Sequence, residues 1–367
     1  MSAGRPEQPR FPSAGVSLVE VIRTLASLVI LPWGLLVHAL TGKTGSKTYQ
    51  AFIWLFCVTG GRMNSALSWC ISRLRPATGG TDAEGVLGKL SHEDIERTAE
   101  RLRSEGYVVF ERALSPAACD RLLQFALTTP AKVRRMDGEA TNEPVRRVLF
   151  DGRNAVAVRY DYDTDALLDD EDVQSLLADR SLLRLAQEYL ECEPVADVLS
   201  MWWHTNHHSQ PDSEAAQYYH FDMDRIKWFK VFIYLTDVGA DNGPHSFVAG
   251  SHRQDGIPWR LRRKGYVRLT DDEVMQEYGS ARCLHLAAPR GSIIVEDTRG
   301  LHKGNPVRAD ARLVLQLQFS NSLFGGYYPP ARIAQVRSPE LRTRLRDMPA
   351  VYRQYVRPLR VSSRQSP

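Results

Sequence analysis

The sequence predicts a mainly β protein with flanking helices: a double-stranded β-helix of the jelly-roll, cupin-like kind, preceded by an N-terminal helical, apolar extension. Three observations lead there. From Pro194 to Phe319, short runs rich in β-branched and aromatic residues alternate with turn residues, without the regular βαβ spacing of a parallel sheet. The last run, residues 312–319 (RLVLQLQF), sets Leu313, Leu315, Leu317 and Phe319 on one face and Arg312, Val314, Gln316 and Gln318 on the other. Such a strand packs its leucines in a core and turns its polar face toward a barrel mouth. Two apolar blocks, residues 25–40 and 51–58, come before anything strand-like.

The chain has 367 residues, 43% hydrophobic and 25% charged, with a net charge of +4. So small an excess gives no global field for nucleic acid, and no segment interleaves aromatic and basic residues as a single-strand binder does. The charge is uneven, because residues 331–367 hold nine arginines against Glu340 and Asp347. A solvated basic tail is the plain expectation for that stretch; attraction to anionic lipid or to a phosphorylated substrate is the sharper one. The five cysteines are scattered and odd in number, which argues against a disulfide framework or a zinc ribbon and suits a reducing cytoplasm.

Taken in order, residues 1–13 are polar and proline-rich, with the composition of a disordered segment. Residues 25–40 (LASLVILPWGLLVHAL) contain Pro32 and fall short of the ~20 residues usual for a spanning helix. With residues 51–58 (AFIWLFCV) they admit three readings: packed helices, attachment in the plane of a membrane interface, or a spanning or re-entrant segment. Residues 76–84 (PATGGTDAE) are the best linker. Ser91 should cap a helix, with Asp94 in the capping-box position, Ile95, Ala99 and Leu102 as its apolar stripe and Gly106 as its end. Residues 107–110 read as a strand, and Ser115 with Pro116 opens another helix. A strand over 155–160, a helix over 182–190 and a strand over 194–203 follow. The expected parts are 1–80, an extension with apolar helices open to those three readings; 81–330, the jelly roll; and 331–367, the Arg-rich tail.

The richest stretch is residues 218–253. It opens with His220-Phe221-Asp222, and strand alternation would put His220 and Asp222 on one side. An imidazole and a carboxylate so placed are two of the three ligands of a facial 2-His-1-carboxylate iron site. Residues 230–237 (KVFIYLTD) read as a strand, Asp241-Asn242-Gly243-Pro244 as a turn, and Phe247-Val248-Ala249 as a return ended by Gly250-Ser251-His252. Lys230 shares a face with Phe232, Tyr234 and Thr236, so it projects into the barrel or sits at its rim. His204, His207 and His208 could bind zinc by spacing alone, but no carboxylate or cysteine completes a set, and they read as a loop bordering the pocket.

This stretch resembles the phytanoyl-CoA dioxygenase family of Fe(II)/2-oxoglutarate oxygenases, in which an H-x-D strand precedes an apolar strand, an N-G turn and a (P/A)GSH(K/R)-like segment. Ala249 stands where proline is common. The order helix, GYVVF strand, Ser-Pro, helix resembles the family's entry into its barrel, so the likeness runs from about Leu90 to Tyr327. The family's distal motif is similar to residues 291–306, and the resemblance makes His302 the third iron ligand. It makes Arg312 the partner of the distal carboxylate of 2-oxoglutarate, a task suited to a bidentate guanidinium. Trp203 and Lys230 become tentative contacts to that cosubstrate, and His252 a loop-ordering residue.

The implied activity is hydroxylation of an unactivated C–H bond in a small or lipophilic organic substrate, consuming O2 and 2-oxoglutarate and releasing succinate and CO2. Asp222 stands where related halogenases carry Gly or Ala, so chloride has no vacant place at iron. The rival readings are a catalytically silent ligand-binding protein on the same fold, a jelly-roll enzyme of another divalent ion that does not use 2-oxoglutarate, and a membrane adaptor built on the N-terminal block.

Overall fold

The structure is a computed structural model, and it describes residues 17–77, 81–134, 145–208, 210–213, 215–265, 268–329 and 331–355. Three helices come first: α1 Leu18–Thr41, α2 Ser46–Thr59 and α3 Arg62–Leu74. A hairpin of β1 Ala83–Gly85 and β2 Gly88–Leu90 leads into α4 His92–Glu105. Here local chemistry acts as expected. The Ser91 hydroxyl accepts from the Asp94 amide, the Asp94 carboxylate accepts from the Ser91 amide, and Gly106 closes the helix at φ 92°. Ile95, Ala99 and Leu102 are buried. Ser91→Ala should lower stability by about 1 kcal/mol in a urea unfolding curve, the usual worth of an N-cap.

Strands β3 Tyr107–Phe110, β4 Ala131–Val133, β5 Arg147–Val148, β6 Arg159–Asp161, β7 Val195–His204, β8 Trp228–Tyr234, β9 His245–Val248, β10 Cys283–Leu286, β11 Ile293–Glu296, β12 His302–Gly304 and β13 Arg312–Ser320 make two antiparallel sheets. The larger has the order β3-β11-β8-β13-β7-β6-β4-β5 and the smaller β10-β9-β12. One face of the large sheet carries Leu313, Leu315, Leu317 and Phe319 into the main core, against α4, the helix Pro116–Thr128 and the helix Arg180–Leu190. The other face, with Trp202, Phe232, Tyr234 and Val314, packs toward Phe247 and Leu286 of the small sheet. This is the jelly-roll architecture that the strand pattern predicts, and the alternation in β13 divides the two sides as read.

Several boundaries differ from expectation. The first apolar block is not a short, proline-broken segment: α1 runs unbroken through Pro32 for 24 residues. Of the expected strand over 155–160 only Arg159 onward pairs, because the hydroxyl of Tyr160 instead takes the amides of Val156 and Ala157. The linker over 76–84 is partly ordered, with Pro76 bridging Cys192 and Ala83 starting β1; its residues 78–80 lie outside the described residues, as do residues 1–13. The Arg-rich stretch is no solvated tail as far as residue 355, since Leu341, Val351, Tyr352 and Tyr355 are buried in the main core. Residues 356–367 lie outside the described residues.

Candidate active site

The H-x-D segment lies not in a ladder strand but in a pair of isolated bridges, Tyr219 with Leu269 and His220 with His302. Alternation survives even so. Phe221 packs among Phe56 and Leu301 in a second core, while the side chains of His220 and Asp222 turn the other way, into a cavity of about 280 Å³ between the sheets. The bridge draws the distant His302 alongside: the His220 amide donates to the His302 carbonyl at 3.0 Å and the His302 amide returns the bond at 2.9 Å. The Asp222 amide is held by the Thr298 carbonyl at 2.8 Å.

The resulting cluster is compact. One ligand-type atom from each of His220, Asp222 and His302 lies within 4.8 Å of the others, and all three residues are buried. Each imidazole is oriented by a backbone carbonyl two residues earlier, Nδ1 of His220 on Tyr218 at 2.9 Å and Nδ1 of His302 on Gly300 at 3.0 Å. Those contacts fix Nδ1 as a protonated nitrogen and turn Nε2 toward Asp222, the orientation a metal requires. The Nε2 atoms stand 3.7 Å and 3.4 Å from the Asp222 oxygens. Two imidazole nitrogens and a carboxylate converging in a buried pocket can hold a divalent ion.

The loop before His302 is held by the Gly250-Ser251-His252 turn. Ser251 Oγ accepts from the Leu301 amide at 2.8 Å and donates to the Val248 carbonyl, and His252 Nε2 meets the Arg103 carbonyl at 3.0 Å. At Gly300 a Cβ would lie 2.8 Å from Phe247 and from Ser251 Oγ, so only glycine permits this approach.

Lys230 projects into the cavity as its strand face predicts, and there it binds carboxylates: Asp222 Oδ2 at 2.6 Å and Asp224 at 3.1 Å. Burial opposes ionisation of Asp222, but the ammonium of Lys230 and the His302 ring outweigh it and hold the carboxyl well below its usual range. Burial, with His302 adding to it, holds the His220 ring well below the ordinary histidine value. For His302 burial acts in the same sense, yet the Asp222 carboxylate prevails and raises it.

Arg312 opens β13 opposite His204 in β7, and its Nη2 contacts His204 Nδ1 at 2.6 Å. Only 3% of it is exposed, and its Nε and Nη1 have no hydrogen-bond partner. Donors left unsatisfied in a buried guanidinium are costly unless an acceptor takes them. Burial lowers the pKa of Arg312, with Tyr234 opposing. Gly304, two residues after His302, keeps space here: a Cβ on it would come within 3.3 Å of Arg312 Nη2.

Trp203 does not reach the cavity. It stacks on Phe150, with ring centroids 4.1 Å apart, and its Nε1 donates to Tyr162, so it is a core residue. Trp202 is the tryptophan that lines the cavity. Nor do the neighbouring histidines form a cluster. His204 belongs to Arg312, while His207 and His208 are exposed and turn to the Ala155 and Gln210 carbonyls. Sequence reasoning missed a further pair, His245 and Glu296, which meet at 2.9 Å beside Phe232 and His302. A histidine at a strand start and an acid in an otherwise apolar strand (IIVE) were the available signals. Burial pushes the Glu296 carboxyl up to about 8, against the pull of His302 and Lys230, so in the metal-free protein it is protonated at neutral pH. Glu296→Gln should therefore leave the thermal midpoint of the metal-free protein unchanged. Glu296→Ala strands the His245 nitrogen and should cost about 1–3 kcal/mol in the same measurement.

The sequence profile of the family described as phytanoyl-CoA dioxygenase matches residues 102–313, more than half of the chain. The chain belongs to the phytanoyl-CoA dioxygenase family. Its class is accordingly that of the oxygenase-type enzymes that depend on Fe(II) and 2-oxoglutarate and use O2. No curated protein matches the chain significantly. Among solved structures, the similar ones include the α-ketoglutarate-dependent epimerase SnoN from nogalamycin biosynthesis, at 19% identity over 62% of this chain and 83% of that one, with a TM-score of 0.41. HygX from Streptomyces hygroscopicus, with nickel and 2-oxoglutarate bound, shares 12% identity over 66% of this chain and 93% of its own, TM-score 0.46. EctD from S. alaskensis, with bound Fe, shares 18% over 73% and 99%, TM-score 0.43.

Proposed function

We propose that this phytanoyl-CoA dioxygenase family member hydroxylates an unactivated C–H bond of a small or lipophilic organic substrate, with His220, Asp222 and His302 holding iron and Arg312 holding 2-oxoglutarate. The observation that carries the reading is a ligand triad and a part-satisfied buried guanidinium in one cavity. The Nε2 atoms of His220 and His302 and the Asp222 carboxylate converge as a ligand set, and Nε and Nη1 of Arg312 lack an acceptor. Bound Fe(II), with 2-oxoglutarate and O2, would supply the oxidising power for inserting oxygen into the substrate C–H bond, with succinate and CO2 as co-products. The protein's own share is to hold. The carbonyls of Tyr218 and Gly300 keep both imidazoles in the ligating orientation, and Lys230 keeps Asp222 ionised.

A second cavity of about 600 Å³, of mixed lining, has Leu323, Tyr327 and Tyr328 beside Arg225 and Gln354 and reaches Lys43 just past α1. It shares Tyr328 with the catalytic cavity. Addition of Fe(II) and 2-oxoglutarate without oxygen should produce a visible charge-transfer band, and the correct substrate should perturb it and give succinate in step with its own consumption. A chain that binds iron without the band, or a band with no succinate from any of a broad substrate set, would overturn the reading in favour of another metal chemistry or a silent binding protein.

A further inference from the structure

The α1 helix presents a face that the fold does not use. Ser27, Leu31 and Gly34 pack inward, whereas Ile22, Leu25, Val29, Trp33, Leu36 and Leu40 recur at three- and four-residue spacing on the outward side. Val29 is 74% exposed, Trp33 67% and Leu40 77%. Over its most apolar 18 residues the helix has a mean hydropathy of 1.7, and only 17% of that window is buried. A continuous apolar stripe of this length marks an interaction surface.

Charge selects the occupant. Residues 17–77 contain one carboxylate, Glu20, against six cations, Arg23, Lys43, Lys47, Arg62, Arg73 and Arg75. Glu20 is itself paired with Arg263. A second copy of the same chain would bring like charge against like; an anionic lipid surface would not. Residues 1–16, which precede the helix directly, supply only Met1, Phe11 and Val16 as large apolar side chains.

The contacts of α1 decide how it would meet lipid. Although long enough to span, it is tied to the rest of the protein at successive heights. Glu20 reaches Arg263 at 3.5 Å, Thr24 accepts from Trp54 Nε1 at 3.0 Å, and the His38 ring meets Phe324 edge-on with centroids 5.4 Å apart. Between these, Gly34 lies so close to Thr48 that a Cβ would come within 2.0 Å of its methyl. Crossing a bilayer would strip the Glu20–Arg263 and His38–Phe324 contacts that tie both ends of α1 to the catalytic body. Lying in the interfacial plane strips none, and it places Trp33 at headgroup depth where an indole is favoured.

We propose that the outward face of α1 binds the surface of an anionic phospholipid bilayer, with the helix parallel to the membrane and one leaflet engaged. The proposal stands apart from the catalytic reading, because it depends on no metal or cosubstrate. Its test is flotation of the full-length chain with vesicles of phosphatidylcholine alone or with about one-third phosphatidylglycerol. The chain should float with the anionic vesicles, be released by high salt or alkaline carbonate, and lose at least about tenfold in bound fraction in the double variant L25E/V29E, whose charges fall in the apolar face. Both positions are exposed, so the variant should keep the parent's circular dichroism. Lipids brominated on their acyl chains should quench the fluorescence of the parent and quench Trp33→Phe less. Absence of flotation, unchanged flotation of L25E/V29E, or retention through carbonate as a spanning helix would each overturn the proposal. So would a stable dimer by light scattering that L25E/V29E converts to monomer, since the face would then belong to a second copy.

Discussion

Asp222→Ala and His302→Ala should each abolish stable Fe(II) binding and, with it, succinate formation. Loss of an outer partner of a metal ligand already costs about 10–100-fold in affinity, and loss of a ligand should exceed that. Asp222→Ala carries an added penalty. Lys230, now holding two carboxylates, would keep only Asp224, and its buried ammonium would sit in the cavity where the cation belongs. His302→Ala removes the ring but leaves the backbone bridge to His220, so the fold should persist. Equilibrium dialysis against Fe(II), or against Mn(II) as an air-stable probe, measures the first effect directly. Wild-type affinity in either variant would remove the metal centre from this cluster.

Arg312→Ala should leave metal affinity near that of the parent and raise the 2-oxoglutarate KM by roughly 10²-fold or more, because cutting one partner from a buried charge pair costs about 2–5 kcal/mol. Arg312→Lys should recover only part of this, since an ammonium cannot present two parallel donors as the guanidinium does. The split between the two ligands is the informative part. An enzyme of another divalent ion would lose nothing specific to 2-oxoglutarate, whereas the proposed arrangement predicts a selective defect. Isothermal titration with 2-oxoglutarate on the Mn(II)-loaded protein reads it without need of the unknown substrate. Truncation at Arg312 also removes the partner of His204 Nδ1, so a modest drop in thermal stability should accompany the binding loss.

Much of the jelly roll was legible because its signals are local. A capping box needs four residues, as at Ser91–Asp94, and a half-buried strand needs only alternation, as in β13. Such patterns owe little to the rest of the molecule. The H-x-D signal was legible for a related reason. Although His220 and Asp222 lie on no ladder strand, extended backbone still throws alternate side chains to opposite sides, which is why Phe221 leaves the cavity and its neighbours enter it.

The misread residues all depended on register or on through-space partners. Trp202 and Trp203 are equivalent by composition, and only the pairing of Leu313 with Trp203 assigns the latter to the leucine face. Directly opposed residues in an antiparallel pair share a face, so Trp202, opposite Val314, enters the cavity. His245 and Glu296 are 51 positions apart, and nothing local joins them. For α1, composition showed an apolar segment but not its extent or its free side, because exposure belongs to what a helix packs against.

What the sequence by itself determined is the kind of chemistry this protein is equipped for, since residue types, their order and short-range periodicity are properties of the chain. Tertiary structure alone decided which nitrogen each histidine offers, which guanidinium protons go unmatched and which helix face is left bare. Those follow from distances between residues remote in sequence, and such distances exist only once the sheets have closed on one another.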